Sequence, residues 1–134
     1  MKKTGTLNSH LSRVIAATGH TDKVVICDSG LPIPRGAEVV DLALTRNIPR
    51  FLDTVRVVLQ ELEVERAIVA TEMRVRNPSI HDDLMKMLKG TPVRAVPHNE
   101  LKRITTRNGN ITFVRTGEST PFANIILVAG VTFS

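Results

Sequence analysis

Two runs of consecutive apolar, mostly β-branched residues most restrict the fold of this chain. KVVIC, residues 23–27, and NIILVAGVTF, residues 124–133, show little alternation between apolar and polar residues. A strand that is buried on one face alternates, whereas a strand buried on both faces is apolar almost throughout. These runs therefore predict strands inside a sheet that is covered on both sides, as in α/β proteins.

Helical patterns separate the apolar runs. Residues 8–20 carry apolar side chains at helical spacing. Asn8 or Ser9 can cap the first turn of this helix, and Gly19 can adopt the left-handed conformation that ends it. His20 then lies just beyond the helix, before the strand KVVIC.

Two further helices are predicted in the middle of the chain. One runs from Pro49, a residue suited to the first helical position, through FLDTVRVVLQEL, which has a broad apolar face. The other is bounded by Asn77 as cap, Pro78 at the first position and Gly90 as stop. Both patterns are long enough to cover a sheet.

Shorter segments complete the predicted order of elements. ERAIVAT and TPVRAVP read as strands, HNELKRIT as a short helix, and NGN as a turn into ITFVRTG. Strands joined by helices through short connections predict a mostly parallel sheet with helices on both faces, a Rossmann-like three-layer arrangement. Sites in such sheets gather at the carboxyl ends of the strands.

Length and composition indicate one domain spanning residues 1–134. The chain is 42% hydrophobic, a usual value for a domain of this size with one core. No run approaches the eighteen or so apolar residues of a membrane span, and no signal-like segment precedes His20. A single cysteine, Cys27, suits a reducing compartment. We therefore expect a cytoplasmic protein that does not enter a membrane.

The charge of the chain gives little support for nucleic-acid binding. Eighteen Lys and Arg against thirteen Asp and Glu give a net charge of +5, which favours an anionic partner in general terms. The basic residues are scattered, however, and the only aromatic residues available to stack bases are four phenylalanines. A solvated basic surface is the simpler interpretation, and no nucleic-acid partner is predicted.

The common catalytic motifs are missing from the sequence. There is no G-x-x-x-x-G-K-[ST], no G-x-G-x-x-G after a strand, no G-x-S-x-G, no H-E-x-x-H and no paired C-x-x-C. The chain is thus a poor candidate for an ATPase, a dinucleotide-dependent oxidoreductase, a serine hydrolase or a zinc enzyme. No metal and no cofactor are predicted.

The remaining candidates are polar residues at the ends of elements: His20, Asp28, His98 and Asn124. Each also has a structural interpretation. His20 can be a solvent-facing helix terminus, and Asp28 can open the turn DSGLP. His98 can cap the short helix that follows it, and Asn124 can cap a turn after Pro121. Taken one at a time, none of these residues distinguishes a functional site from an ordinary structural role.

Taken in order, the same segments resemble a known family. GHTD, the following DSGLPIP, NPSIHDDL, VPHNELKRIT and the terminal RTGESTPFANIILVAGVTF are similar to the D-ribose pyranase family, the sugar mutarotases of ribose-utilisation operons. The resemblance covers essentially the whole chain. L-fucose mutarotases form a sister group that shares the fold and some of these features.

The resemblance implies an activity and a set of site residues. Members interconvert the β-pyranose and β-furanose forms of D-ribose without metal or cofactor. His20 matches the proton donor, Asp28 and His98 match substrate contacts, and Phe122, Ala123 and Asn124 match the terminal sugar-binding tripeptide. That tripeptide usually begins with tyrosine, so Phe122 lacks a hydroxyl.

The resemblance also implies an assembly, in which two rings of five subunits stack into a homodecamer with sites between subunits. Histidine suits a proton donor because its ordinary pKa lies near neutrality. On this basis the segment around KVVIC is a buried strand whose flanks, His20 and Asp28, both face a sugar site. The alternatives are a mutarotase for another sugar such as L-fucose, and a non-catalytic module that binds a sugar or a nucleic acid.

Overall fold

A computed structural model describes all residues, 1–134, as five helices and six strands around one sheet. The strands are β1 (Lys23–Cys27), β2 (Glu38–Asp41), β3 (Val64–Ala70), β4 (Val93–Val96), β5 (Ile111–Arg115) and β6 (Ile125–Ala129). The helices are α1 (Ser9–Ala17), α2 (Phe51–Glu61), α3 (Thr71–Arg76), α4 (Pro78–Met87) and α5 (His98–Ile104). None of the helices has the length and apolar character needed to cross a membrane.

The six strands form a mixed sheet in the order β2-β5-β1-β6-β3-β4. The pairs β2–β5, β5–β1 and β3–β4 are parallel, and β6 is antiparallel to both of its neighbours, β1 and β3. Five strands therefore point the same way and one points back. As a result, the residues that precede β6 lie at the same edge of the sheet as the residues that follow the other five strands.

The sheet is covered on both faces, as the continuous apolar runs predict, but unequally. One face packs against α1, α2, α3 and α4 through a large core that includes Leu11, Phe51 and Leu84. The other face packs against α5, through Leu101 and Ile104, and against the loop after β1. All five residues of β6 are buried, as expected for the strand between β1 and β3. The predicted α/β class with a three-layer arrangement is confirmed.

Two predicted helix boundaries are wrong in detail. Gly19 does not take the left-handed conformation, and α1 ends at Thr18, which is extended. The left-handed residue of the following turn is Thr21, with φ of 68°. The second helix begins at Phe51 rather than at Pro49, because Arg50 is its extended cap residue.

The last strand is shorter than its apolar run. β6 ends at Ala129, and residues 131–134 are exposed. Gly130 lies so close to β3 that an added Cβ would be 3.2 Å from the Cβ of Glu65. Hydrophobicity alone therefore overestimates the length of this strand.

Two short elements are not predicted from the sequence. β2 is a four-residue edge strand, too short for its pattern to stand out. α3 has six residues and follows β3 without a loop, so ERAIVAT runs directly into a helix. The other predicted strands and helices are present, and Gly90 has the predicted left-handed φ, 88°, just beyond α4.

Candidate active site

A cleft of about 360 Å³ opens at the edge of the sheet where β1, β4 and β5 end and β6 begins. Three segments form it: the loop after β1, the start of α5 and the loop between β5 and β6. This is the edge at which α/β proteins bind ligands. The lining combines polar and apolar residues, which are Asp28, Ser29, Gly30, Leu31, Pro32, His98, Glu118, Ser119, Thr120, Pro121 and Phe122.

Asp28 and Asn124 form the best-defined polar pair at the cleft. The Oδ1 atom of Asn124 accepts the backbone N–H of Asp28 at 2.9 Å, and its Nδ2 donates to Oδ2 of Asp28 at 3.2 Å. Asn124 is fully buried, whereas Asp28 is partly exposed to the cleft. Because one amide group binds both the main chain and the side chain of Asp28, the carboxylate is held in one orientation.

The carboxylate of Asp28 also opens the DSGLP turn, as the structural interpretation of this residue predicts. Its Oδ1 accepts the backbone N–H of Gly30 at 2.9 Å. Burial raises the pKa of Asp28 above its ordinary value of 3.8, against the opposing effect of the hydrogen bonds from Gly30 and Asn124. A desolvated carboxylate of this kind is a strong acceptor for sugar hydroxyl groups.

His98 begins α5 on the opposite side of the cleft. Its backbone N–H is bound by the carboxylate of Glu72, at 3.0 Å and 3.2 Å from the two oxygens. Its ring makes an edge-on contact with the ring of Phe122, with 5.1 Å between centroids and 85° between planes. The Nδ1 atom is buried and has no hydrogen-bond partner. It is one of two buried side-chain polar atoms that have no partner, the other being Nδ1 of His81.

Burial, with a smaller contribution from Lys102, lowers the pKa of His98 below its ordinary 6.5. Below about pH 6.5 the unfolded chain therefore binds a proton at this histidine that the folded chain does not bind. The free energy of unfolding should fall as the pH drops from about 6.5 towards the lower pKa of the folded protein. His98→Gln should remove this component. Urea unfolding of both proteins at about pH 7.5 and 5.5 measures it. Equal losses of stability in the two proteins would contradict the assignment.

The segment before β6 has a strained backbone at the cleft. Phe122 has φ of 66°, in the left-handed region that an aromatic residue rarely adopts. Its carbonyl accepts the N–H of Asn124 at 2.9 Å, and Ala123 is buried between them. The guanidinium carbon of Arg76 lies 5.9 Å from the centroid of the Phe122 ring. This tight turn points Phe122 at the cleft and Asn124 at Asp28.

Glu118 is a residue of the cleft that the sequence did not single out. It is 2% exposed, and its Oε1 accepts the N–H of Phe51 at the start of α2 while Oε2 accepts the hydroxyl of Thr120. Its carbonyl oxygen accepts both the N–H and the hydroxyl of Ser29, at 2.9 Å and 3.0 Å. Glu118 therefore joins the two loops of the cleft. Only the RTGE motif, which the resemblance covers, could have indicated it.

His20 is not part of this cleft within one chain. It precedes β1, whereas Asp28 follows β1, and a five-residue strand spans about 16 Å. His20 lies at the opposite edge of the sheet, 53% exposed, with its Nε2 atom 3.1 Å from Oε2 of Glu65. The structure thus brings together Asp28, His98, Phe122 and Asn124, and it separates His20 from them. Nowhere do three or more His, Cys, Asp or Glu side chains come together as a metal site would require.

Comparison with known proteins identifies the family of this fold and cleft. The model of the RbsD / FucU transport protein family matches residues 1–132. The chain belongs to this family. A D-ribose pyranase of Coprothermobacter proteolyticus is 57% identical over 99% of this chain and 100% of its own length. The predicted resemblance is therefore confirmed.

Two solved structures have a fold similar to that of this chain. Bacillus subtilis RbsD, solved in complex with D-ribose, superposes with a TM-score of 0.92 at 42% identity and covers 99% of this chain and 100% of its own. A fucose mutarotase from Streptococcus pneumoniae, in complex with L-fucose, superposes with a TM-score of 0.82 over 99% of this chain and 100% of its own, but at 18% identity. The latter shows a shared fold alone.

Proposed function

We propose that this protein is a D-ribose pyranase, an isomerase that interconverts the β-pyranose and β-furanose forms of D-ribose. The observation that carries the proposal is the full-length similarity to curated D-ribose pyranases, at 57% identity for the first of them. The 42% identity to an RbsD solved with D-ribose supports the same sugar. The cleft, in which Asp28 and His98 are partly exposed and Asn124 holds Asp28 from behind, is of the right chemistry for a small polyol.

The reaction needs only proton transfers. A proton is delivered to the ring oxygen O5 as the C1–O5 bond breaks, and a proton leaves the anomeric hydroxyl as C1=O forms. The open aldehyde then closes when the O4 hydroxyl attacks C1, with O4 losing a proton and the carbonyl oxygen gaining one. Atoms and charges balance without a redox step, so an acid and a base in the cleft suffice.

The cleft residues divide into sugar contacts and their supports. Asp28, desolvated and oriented by Asn124, accepts hydrogen bonds from sugar hydroxyls. His98 lines the opposite side of the cleft and provides a second polar contact. Phe122 offers an apolar ring face to sugar C–H groups. Asp28, His98 and Phe122 thus bind the sugar, Asn124 supports Asp28, and the proton donor remains to be assigned.

We assign the proton donor to His20 of a neighbouring copy of the chain. The separation of His20 from the cleft within one chain supports a site shared between subunits, because the donor must come within about 3 Å of the sugar oxygen. The exposed ring of His20 is free to enter a neighbour's cleft. We propose the assembly that the family resemblance implies, a homodecamer of two stacked pentameric rings. The single buried cysteine, Cys27, suits a reducing compartment, and we therefore propose a cytoplasmic enzyme.

Subunit complementation tests the shared site. His20→Ala and Asp28→Asn should each be inactive alone. When equal amounts are unfolded and reassembled together, a site needs an intact His20 from one chain and an intact Asp28 from its neighbour, so about a quarter of the sites should regain activity. Each variant reassembled alone is the control. A mixture that stays inactive, or a monomer in sedimentation at micromolar concentration, would exclude a shared site.

Saturation-transfer NMR on equilibrated D-ribose tests the activity itself. The enzyme should accelerate exchange between the pyranose and furanose signals, whereas a non-catalytic sugar-binding module would broaden signals without accelerating exchange. L-fucose, a 6-deoxyhexose, and pentoses other than ribose, run in parallel, test the alternative sugar preference, which the 18% identity to a fucose mutarotase does not favour. Exchange of L-fucose without exchange of D-ribose would overturn the proposed substrate.

Phe122→Tyr tests whether the ring or a hydroxyl contacts the sugar at this position. A useful new hydrogen bond would tighten ribose binding by about 0.5–1.5 kcal/mol, or roughly threefold to tenfold. We expect less than a threefold change, because the aromatic ring and the positions of Ala123 and Asn124 are kept. Calorimetric titration of ribose into both proteins measures the difference. A tenfold gain in affinity would show that the missing hydroxyl matters.

A further inference from the structure

The contact between His20 and Glu65 depends on an irregularity in the sheet. Val64 of β3 pairs with Ala129 of β6, and Arg66 pairs with the adjacent Val128. Two steps along β3 thus match one step along β6, so Glu65 is the extra residue of a β-bulge. Bulges redirect side chains and are common beside active sites. Glu65 is therefore held where regular pairing would not place it.

Gly130 makes room for this bulge. Its N–H donates to the carbonyl of Glu63 at 2.9 Å, which ties the end of β6 to the start of β3. A Cβ added at Gly130 would be 3.2 Å from the Cβ and 3.4 Å from the backbone nitrogen of Glu65. A larger residue here would press on the bulge, so a glycine fits the need for close approach.

The turn that carries His20 is also fixed. The N–H of Gly19 donates to Oδ2 of Asp22 at 2.8 Å, and the N–H of Thr21 donates to the carbonyl of Ala129 at 2.9 Å. Thr21 has φ of 68°, a strained conformation for a β-branched residue that persists only where surrounding contacts impose it. The turn and the bulge are both anchored on the end of β6.

We propose that Glu65 is a positioning residue for His20, a role that rests on the proposed function. Glu65 accepts the hydrogen of Nε2 at 3.1 Å, so Nδ1 is the ring atom that carries the mobile proton to the sugar in the neighbouring subunit's cleft. The same contact fixes the orientation of the ring. An acid oriented by a third group follows the general logic of catalytic histidines.

Glu65→Gln tests the proposal, because it keeps the size of the side chain and removes its charge. The exchange rate at saturating ribose, kcat, should fall about tenfold with KM changed less than twofold, since Glu65 acts on the proton donor and not on the bound sugar. Glu65→Asp keeps the charge but is one methylene shorter, and its kcat should lie between those of the wild-type protein and Glu65→Gln. Glu63→Gln, a neighbouring exposed glutamate without a contact to His20, is the matched control and should leave kcat unchanged.

The ring nitrogens of His20 provide a second measurement. Nitrogen-15 NMR at neutral pH should show His20 protonated at Nε2 in the wild-type protein and a larger Nδ1-protonated fraction in Glu65→Gln. Wild-type kcat in Glu65→Gln would overturn the proposal, even if the variant melts at a lower temperature. If His20→Ala itself keeps full exchange, the assigned proton donor fails. If His20→Ala is inactive while Glu65→Gln is fully active, only the positioning role fails.

Discussion

His20→Ala should slow the exchange of ribose ring forms by about a hundredfold or more, because a positioned general acid typically contributes that much. Ribose binding should stay measurable, since Asp28, His98 and Asn124 form the cleft without His20. The fold of the subunit should change little, because the ring is 53% exposed in the subunit. Saturation-transfer NMR gives the rate and calorimetry gives the affinity.

His10 supplies a matched control for this prediction. It is also a partly exposed histidine beside a glutamate, with its Nε2 atom 3.3 Å from Oε1 of Glu38. His10→Ala removes the same chemical groups from another part of the surface and should leave exchange unchanged. If His20→Ala retains most of the wild-type rate, or if both variants lose activity equally, His20 is not the proton donor.

Asn124→Leu should produce the second large effect. Leucine is close in size to asparagine but leaves the backbone N–H of Asp28 without its partner, at a cost of about 1–3 kcal/mol in stability. The carboxylate of Asp28 also loses the amide that orients it. We therefore expect ribose affinity to fall by at least about tenfold, the value of one charge-assisted hydrogen bond. Urea unfolding and calorimetric titration give the two quantities.

A comparison with Asn8→Ala separates stability from binding. Asn8 caps α1, where its side chain accepts the N–H of Leu11 at 2.9 Å, and its loss should cost about 1 kcal/mol. This asparagine does not line the cleft, so ribose affinity should be unchanged. Wild-type affinity in Asn124→Leu would remove Asn124 from the binding site, whatever its stability.

The sequence predicted the elements with strong local signals and missed those shaped by their neighbours. Residues 24–27 (VVIC) and 125–129 (IILVA) are apolar throughout because their strands are central, so the positions of these strands could be predicted. The sequence does not show that β6 runs antiparallel, since a buried strand has the same composition in either direction. β2 depends on pairing with β5, and four residues carry too little pattern to predict it.

The candidate site was predictable only in part for a related reason. Asp28 and His98 follow strands, so the rule for parallel sheets brings them together. Asn124 precedes a strand, and it reaches the same edge only because β6 is reversed. The resemblance to the family supplied His20 and the tripeptide, but not the distance of His20 from the cleft in one chain. Glu65 escaped notice because a bulge is a property of strand pairing.

The central position of β6 has a consequence for how the polypeptide acquires its structure during synthesis. β6 is the last strand to leave the ribosome, yet it lies between β1 and β3 and forms the only strand contact between β2-β5-β1 and β3-β4. Until residues 125–129 emerge, the nascent chain holds two half-sheets with unpaired apolar edges, which are sites of aggregation. Such late, long-range pairing slows folding. We therefore expect a chain with this topology to be more prone to aggregation during folding than one whose central strand is synthesised early.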